Sequence, residues 1–265
     1  SERESLNSLA VEILKDVALT NKLLRMVNTV HYSSAGGGTI STVSRAVALV
    51  GFAGIRNMAL SLLLFEHMKD KAHAKRLREE FLRSLVAGQI AGELATSTRE
   101  AEEAFLGAMF HNLGRLLCEY YLPEEAQQIR DQVSAAGSSP DNPRTVLESA
   151  AERVLGLGFE RLGMGVARSW GLPDSLQRCM LRGDAQAPAR PAERGLDRLR
   201  WVSVVANELA DVTLDAPPDQ AASRIEALVS QYGRALALDA RQMQEALSRA
   251  RSRLAQLAPA MGLSL

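Results

Sequence analysis

The 265-residue sequence has few cysteines, few aromatic residues and no excess of charge of either sign. It contains 31 Lys and Arg against 31 Asp and Glu, so its formal net charge is zero. A neutral chain lacks the basic field that draws a protein to nucleic acid or to an acidic membrane surface, so we expect neither partner. No apolar run is long enough to span a bilayer, and we expect a cytoplasmic protein.

Only two cysteines are present, Cys118 and Cys179, and each lies in an apolar stretch. Two isolated thiols do not make a disulfide framework, which suits a reducing cytoplasm. We therefore expect both to be inert residues of the core. The sequence begins at Ser1 and not at Met, so we also expect that the usual beginning of the domain is cut short and that this is a piece of a longer protein.

Apolar residues recur at intervals of three and four through most of the chain, and no stretch alternates with a period of two for long. This pattern predicts an all-α protein. With 46% hydrophobic residues, the chain can bury a sizeable core. The charged stretch 66–80 indicates a solvated helix or connector, so we predict a helical lobe over residues 1–72 and a second lobe over 73–265.

The most distinctive stretch is 104–117, which is apolar, rich in small residues, and predicted to be one helix. His111 lies in its middle, and Asn112 follows directly. A metal-dependent hydrolase would need a carboxylate beside such a histidine, and an amide is a poor ligand for a divalent ion. His67 and His73 are six residues apart, so they do not share a helix face on which to bind a metal either.

Two stretches near the N-terminus have the outline of a functional motif, but each favours a structural interpretation. Residues 43–65 have the helix, turn, helix outline of a DNA-reading motif, but the second helix offers only Arg56 and Asn57 as contacts. A buried helical hairpin is the favoured interpretation. The glycines at 36–38 indicate an exposed loop and not a phosphate cradle, because no strand precedes them and no Gly-Lys-Ser/Thr follows.

Four blocks of the sequence follow one another in a recognisable order: residues 13–29, 40–52, 105–116 and 170–173. The third contains the pair His111-Asn112, and the fourth is Trp-Gly-Leu-Pro. Together they resemble the HDOD domain, the HD-related output domain of bacterial signalling proteins. The resemblance covers nearly the whole chain and implies an N-terminal helical lobe followed by a second lobe built like the HD phosphohydrolases.

In the HD phosphohydrolases, histidines and aspartates on several helices hold a divalent metal that activates water. Carried over one position at a time, these ligands fall at or near Ser84, at His111 and Asn112, near Arg161 and near Asn207. Only the histidine keeps its residue type. One neutral imidazole cannot supply the three protein ligands that a catalytic metal needs. The resemblance therefore implies a residual pocket at these five positions with no metal, no other cofactor and no catalytic residue.

The hypothesis that follows is a non-catalytic module of signal transduction that mediates protein-protein interaction. Its expected partner is a regulatory protein, such as a receiver domain or a kinase, in a two-component or response-regulator pathway. The candidate surfaces are the residual pocket and the interface between the lobes near residues 66–80. Two alternatives stay open: a residual metal-dependent phosphodiesterase, and a cyclic-nucleotide sensor in which Arg161 clamps a phosphate.

Overall fold

The computed structural model of the chain describes residues 71–137, 143–169, 174–182, 187–188, 190–192 and 195–257. These residues form helices and contain no strand, so the prediction of an all-α fold is confirmed. None of the helices they form is both long and apolar enough to serve as a membrane span. In chain order the helices are α1 (Lys71–Leu94), α2 (Thr98–Phe110), α3 (Leu113–Tyr121), α4 (Pro123–Ala135), α5 (Pro143–Leu155), α6 (Phe159–Ser169), α7 (Asp174–Cys179), α8 (Leu196–Asp215), α9 (Pro218–Leu236) and α10 (Ala240–Leu257).

Several predictions concern residues outside the described part of the chain. They include nearly all of the N-terminal lobe, with its glycine loop and the hairpin that carries Arg56 and Asn57. The Trp-Gly-Leu-Pro block at 170–173 also lies outside it. The lobe boundary at residue 72 falls at the start of α1 and stays a prediction.

Helix α1 packs against α2, α3, α8 and α10. Its inward face consists of apolar side chains that are at most 2% exposed: Leu77, Phe81, Leu85, Ile90 and Leu94. Residues 71–80, expected to be a solvated helix or connector, are the first turns of this helix. The expectation holds for Lys75 and Glu79, which are exposed, but not for Leu77 and Glu80, which already face the core.

The predicted central helix is interrupted at its histidine, so the prediction of one helix over 104–117 is wrong. Helix α2 ends just before His111, and α3 begins just after Asn112. The His111 N–H reaches back to the Ala108 carbonyl at 3.3 Å, which is a tight final turn. Asn112 has φ −102° and ψ 24°, so it departs from helical values and redirects the chain.

The break allows α3 to lie against α6 while α2 stays against α1 and α7. At Gly114 the backbones of α3 and α6 meet. A Cβ atom at position 114 would overlap the Phe159 carbonyl oxygen and would lie 2.8 Å from the Gly163 nitrogen. Only glycine permits so close an approach. One straight helix could not contact α1 and α7 along its first half and α6 along its second.

Helix α8 packs on α1, α2, α7 and α9 and is the second central element of the core. The face that the sequence predicted to point inward is at most 3% exposed: Leu199, Val202, Val205, Ala206 and Leu209. The predicted break at Pro217 and Pro218 is also present, because α8 ends at Asp215 and α9 begins at Pro218. This arrangement places Asn207 of α8 against the break between α2 and α3.

Both cysteines are buried, as predicted. Cys118 belongs to a smaller apolar cluster built from α3, α4, α5 and α6, and Cys179 belongs to the main core. Burial raises the pKa of each thiol to about 11. The two residues are therefore neutral packing groups at physiological pH.

Candidate functional site

His111 lies in the turn between α2 and α3 and is only 5% exposed. Its Nδ1 is 2.8 Å from the Cys179 carbonyl oxygen, and its Nε2 is 3.1 Å from Nε of Arg182. Because a carbonyl only accepts and a guanidinium only donates, Nδ1 carries the proton and Nε2 accepts. Burial, together with the positive charges of Arg182 and Arg144, holds the pKa of His111 well below its usual range. The imidazole is therefore neutral at physiological pH.

Asn112 and Asn207 form a hydrogen-bonded pair beside the histidine. Asn112 Nδ2 donates to Asn207 Oδ1 at 2.7 Å. Asn207 Nδ2 donates in turn to the carbonyl oxygens of Ala108, at 3.0 Å, and Ser203, at 2.9 Å. Since backbone carbonyls only accept, the Asn207 amide has one possible orientation, and Asn112 must then turn its own oxygen away from it. Arg182 Nη2 donates to that oxygen at 3.0 Å.

Arg182 follows α7 and holds the histidine and its neighbouring amide through the Nε and Nη2 edge of its guanidinium. Its backbone is fixed on both sides, since its N–H donates to Glu160 Oε2 at 2.9 Å and its carbonyl accepts from Arg200 Nη2 at 2.6 Å. Burial and the nearby charge of Arg144 lower the pKa of Arg182 to about 10. It stays protonated at neutral pH, so the site contains a cation supplied by the chain itself.

A polar stripe on α8 leads from this site toward solvent, with its members four residues apart: Ser203, Asn207, Asp211 and Asp215. Arg83 of α1 donates to Asp211 at 2.7 Å and to Asp215 at 2.9 Å. Arg144 of α5 donates to the other Asp211 oxygen at 2.6 Å and 3.0 Å. Burial alone would raise the pKa of Asp211, but the charges of Arg144 and Arg83 outweigh burial and lower it.

Three of the five residues of the predicted pocket are joined by hydrogen bonds around Arg182: His111, Asn112 and Asn207. Ser84 is buried on α1, where its hydroxyl donates to the Glu80 carbonyl at 3.1 Å. That bond stays within its own helix, as is common for a helical serine. Ser84 is therefore placed in the core and takes no part in the hydrogen bonds of the imidazole.

Arg161 is exposed on α6, and the arginine that contacts the histidine is Arg182. Sequence reasoning missed Arg182 because it is a single basic residue after a short apolar helix, with no spacing that links it to His111. The stripe on α8 was detectable, since polar residues every fourth position in an apolar helix must share one face. Their regular spacing would have pointed to Asn207 and Asp211 together.

The resemblance implies a divalent metal in active relatives, and the donors at this position do not fit one. Nε2 of His111, the ring nitrogen that a metal would take, accepts from a guanidinium, and a fixed positive charge there opposes a cation. Asn112 and Asn207 are committed to each other and offer only neutral oxygens. Within the ranges described above, no group of three or more His, Cys, Asp or Glu side chains is arranged to hold a metal ion.

A family model described as the HDOD domain matches residues 1–185. The match covers more than half of the 265 residues, so the chain belongs to the HDOD domain family. It includes His111, Asn112 and Arg182 and ends before α8, the helix that carries Asn207. A comparison with curated proteins finds no match.

Solved structures share this helical fold at low sequence identity. An HDOD domain protein of unknown function from Geobacter sulfurreducens is 18% identical, with a TM-score of 0.58, over 97% of this chain and 85% of that one. A protein from Shewanella amazonensis SB2B, whose name proposes a phosphohydrolase, is 18% identical, with a TM-score of 0.54, over 96% and 87%. One from Marinobacter aquaeolei VT8, whose name proposes signal transduction, is 18% identical, with a TM-score of 0.51, over 97% and 55%. At this identity the likeness establishes the fold alone.

Proposed function

We propose that this HDOD domain is a non-catalytic output module that passes on a signal by binding a regulatory protein. The family and the fold support a relation to HD phosphohydrolase-like and signal transduction proteins. Within that group, the chemistry of the site favours the signalling role over the hydrolytic one. The expected partner is a receiver domain or a kinase of a cytoplasmic two-component pathway.

The observation that carries this proposal is the hydrogen bond from Arg182 Nε to His111 Nε2. In a metal-dependent hydrolase this ring nitrogen would hold the ion that activates water and neutralises the phosphate charge. An imidazole that accepts a guanidinium N–H cannot bind a metal through the same lone pair. It cannot act as a general base either without first losing that bond.

The two asparagines support the same conclusion, because each suits its neighbours only as an amide. Asn207 donates N–H groups to two backbone carbonyls, which a carboxylate could not do. Asn112 needs one N–H for Asn207 and one oxygen for Arg182. The network is complete with neutral amides at both positions, where the resemblance to HD phosphohydrolases expects carboxylates.

Metal content and turnover test this proposal together. After loading with Mn²⁺ or Fe²⁺ and dialysis, we expect the purified protein to hold substoichiometric metal and to leave cyclic di-GMP intact. His111→Ala should then change neither result. Stoichiometric metal, with turnover that His111→Ala abolishes, would favour the alternative of a residual metal-dependent phosphodiesterase.

The partner surface has a separate test. The start of α1 carries the described part of the charged stretch 66–80, with Lys75 and Glu79 exposed. If this surface receives the partner, Lys75→Glu should weaken binding to a receiver domain or kinase from the same organism, measured with purified proteins. Unchanged binding would show that the partner binds another face of the domain.

Nucleotide sensing without hydrolysis is the second candidate function. The observation that favours it is that the guanidinium of Arg182 contacts a neutral imidazole and a neutral amide, which leaves its charge available to an anion. The arginine of this sensor is Arg182, in place of the exposed Arg161 that the sequence suggested.

A further inference from the structure

We propose that Arg182, with Arg144 beside it, forms a binding site for a phosphate-class oxyanion such as the phosphate of a nucleotide. The inference rests on the proposed non-catalytic function, because it gives Arg182, and not a metal, the role of holding the phosphate. It goes further by naming the chemistry of the ligand and the side chains that recognise it.

The guanidinium of Arg182 has donors to spare. A guanidinium carries five N–H donors, and Arg182 uses Nε and Nη2 on two neutral acceptors, His111 and Asn112. Within the part of the chain that the structure describes, its Nη1 donates no hydrogen bond and no carboxylate forms an ion pair with it. Arg182 is partly exposed. The charges of Glu148, Asp211 and Glu160 stabilise this cation from nearby, but none of their carboxylates bonds to the guanidinium, and an oxyanion at Nη1 would supply that direct contact.

Arg144 adds a second positive charge near the first. Its Nε and Nη2 bind Asp211, while Arg83 binds both Asp211 and Asp215, so two guanidiniums face two carboxylates in this cluster. Arg144 is close enough for its charge to lower the pKa of Arg182. The charge of Asp211 offsets part of this repulsion, and a phosphate bound to Arg182 would offset it further.

Two carboxylates near Arg182, those of Glu160 and Glu148, are already committed to the backbone. Glu160 accepts the N–H of Arg182 at 2.9 Å. Glu148 accepts backbone N–H groups of Phe159 and Glu160 at the start of α6. Neither side chain takes up a donor of the Arg182 guanidinium. Their negative charge limits the affinity for an anion, so we expect inorganic phosphate to bind in the millimolar range.

Calorimetric titration of the metal-free chain with inorganic phosphate, AMP and cyclic di-GMP, at constant ionic strength, tests the site. We expect saturable binding of phosphate to the wild type, and an increase in Kd of at least about tenfold in Arg182→Gln. Arg182→Lys keeps the charge but loses the planar fork, so its Kd should lie between the two. Arg168→Gln removes an exposed arginine of α6 and should bind as the wild type does.

The AMP and cyclic di-GMP arms distinguish a phosphate monoester from a diester, since the natural class should bind more tightly than inorganic phosphate. No saturable heat with any of the three would overturn the inference, and so would equal affinity in the wild type and a folded Arg182→Gln. Loss of binding in Arg161→Gln but not in Arg182→Gln would overturn it too. If Arg182→Gln does not fold, the NMR signal of the Arg182 Nε–H in the wild type replaces it as the test. A shift of this signal on addition of phosphate would support the site, and an unchanged signal would overturn it. Failure of the proposed function would show instead as stoichiometric metal.

Discussion

The two ring nitrogens of His111 have different neighbours, and this difference limits what the residue can do. Nδ1 donates to the Cys179 carbonyl, which is how a metal-binding histidine is commonly oriented. Nε2 therefore carries the lone pair that a metal would need, and Arg182 donates to it. The imidazole keeps the orientation of a ligand while its lone pair serves a hydrogen bond within the chain.

His111 should stay neutral as the pH falls through the usual range of histidine titration. Its pKa is lowered in the folded state, so below about pH 6.5 the unfolded chain takes up a proton that the folded chain refuses. Its contribution to stability is complete above that pH and is lost as the pH falls, by up to about 1.4 kcal/mol per pH unit. Urea unfolding should show the wild type losing stability relative to His111→Gln on acidification. An NMR titration of His111 with an ordinary pKa would contradict this.

Asn207→Asp should destabilise the fold strongly. The change removes N–H groups that donate to two backbone carbonyls and places a carboxylate against those oxygens at a position that is 0% exposed. We expect the free energy of unfolding near pH 7 to fall by about 3–5 kcal/mol. Burial would raise the pKa of the new aspartate, so the penalty relative to wild type at the same pH should shrink on acidification. A small penalty that does not change with pH would mean that the assigned amide orientation is incorrect.

At the scale of helices, the features that depend on local sequence pattern were predictable from the sequence. The inward face of α8 follows from its apolar spacing, and the start of α9 follows from Pro218, because proline is tolerated in the first turn and not in the interior. The break between α2 and α3 was not predictable in this way, since the residues around His111 are compatible with a helix. It depends on Gly114 meeting α6, a contact between segments distant in the sequence.

The residues of the candidate site also divide into those that the sequence could predict and one that it could not. The resemblance located His111, Asn112 and Asn207, which lie on segments with recognisable motifs or at positions carried over from them. Arg182 was missed because its role depends on the path of the chain after α7, where Arg200 and Glu160 hold its backbone. A contact set by tertiary structure leaves no periodic signal in the sequence.

Gly114→Ala tests the contact that breaks the central helix. The added Cβ would overlap the Phe159 carbonyl oxygen, and a backbone neighbour cannot move aside as a flexible side chain would. We expect thermal or urea unfolding to show a loss of about 3 kcal/mol or more. Gly165→Ala on α6 is the matched control, since a Cβ there meets no atom within 4 Å. It should be neutral or stabilise by up to about 1 kcal/mol, and a similar loss in both variants would disprove the packing argument.

At the scale of the whole molecule, the family match and the folded core do not end at the same place. The match stops at residue 185, yet α8 and α10 pack on α1 and supply buried residues to the main core. A fragment over residues 1–185 would expose the apolar face of α1 and lose Asn207. We expect it to be aggregated or to lack dispersed NMR signals, whereas the 265-residue chain should unfold cooperatively. A stably folded fragment would show that α8 to α10 are dispensable for the fold.

The central claim is that Arg182 occupies the side of His111 on which an active HD enzyme would hold its metal. A crystal structure from crystals soaked in Mn²⁺, with anomalous data collected, tests it most directly. The account predicts electron density for the guanidinium beside His111 Nε2 and no anomalous peak there. A manganese ion coordinated by Nε2, with Arg182 turned away, would contradict it.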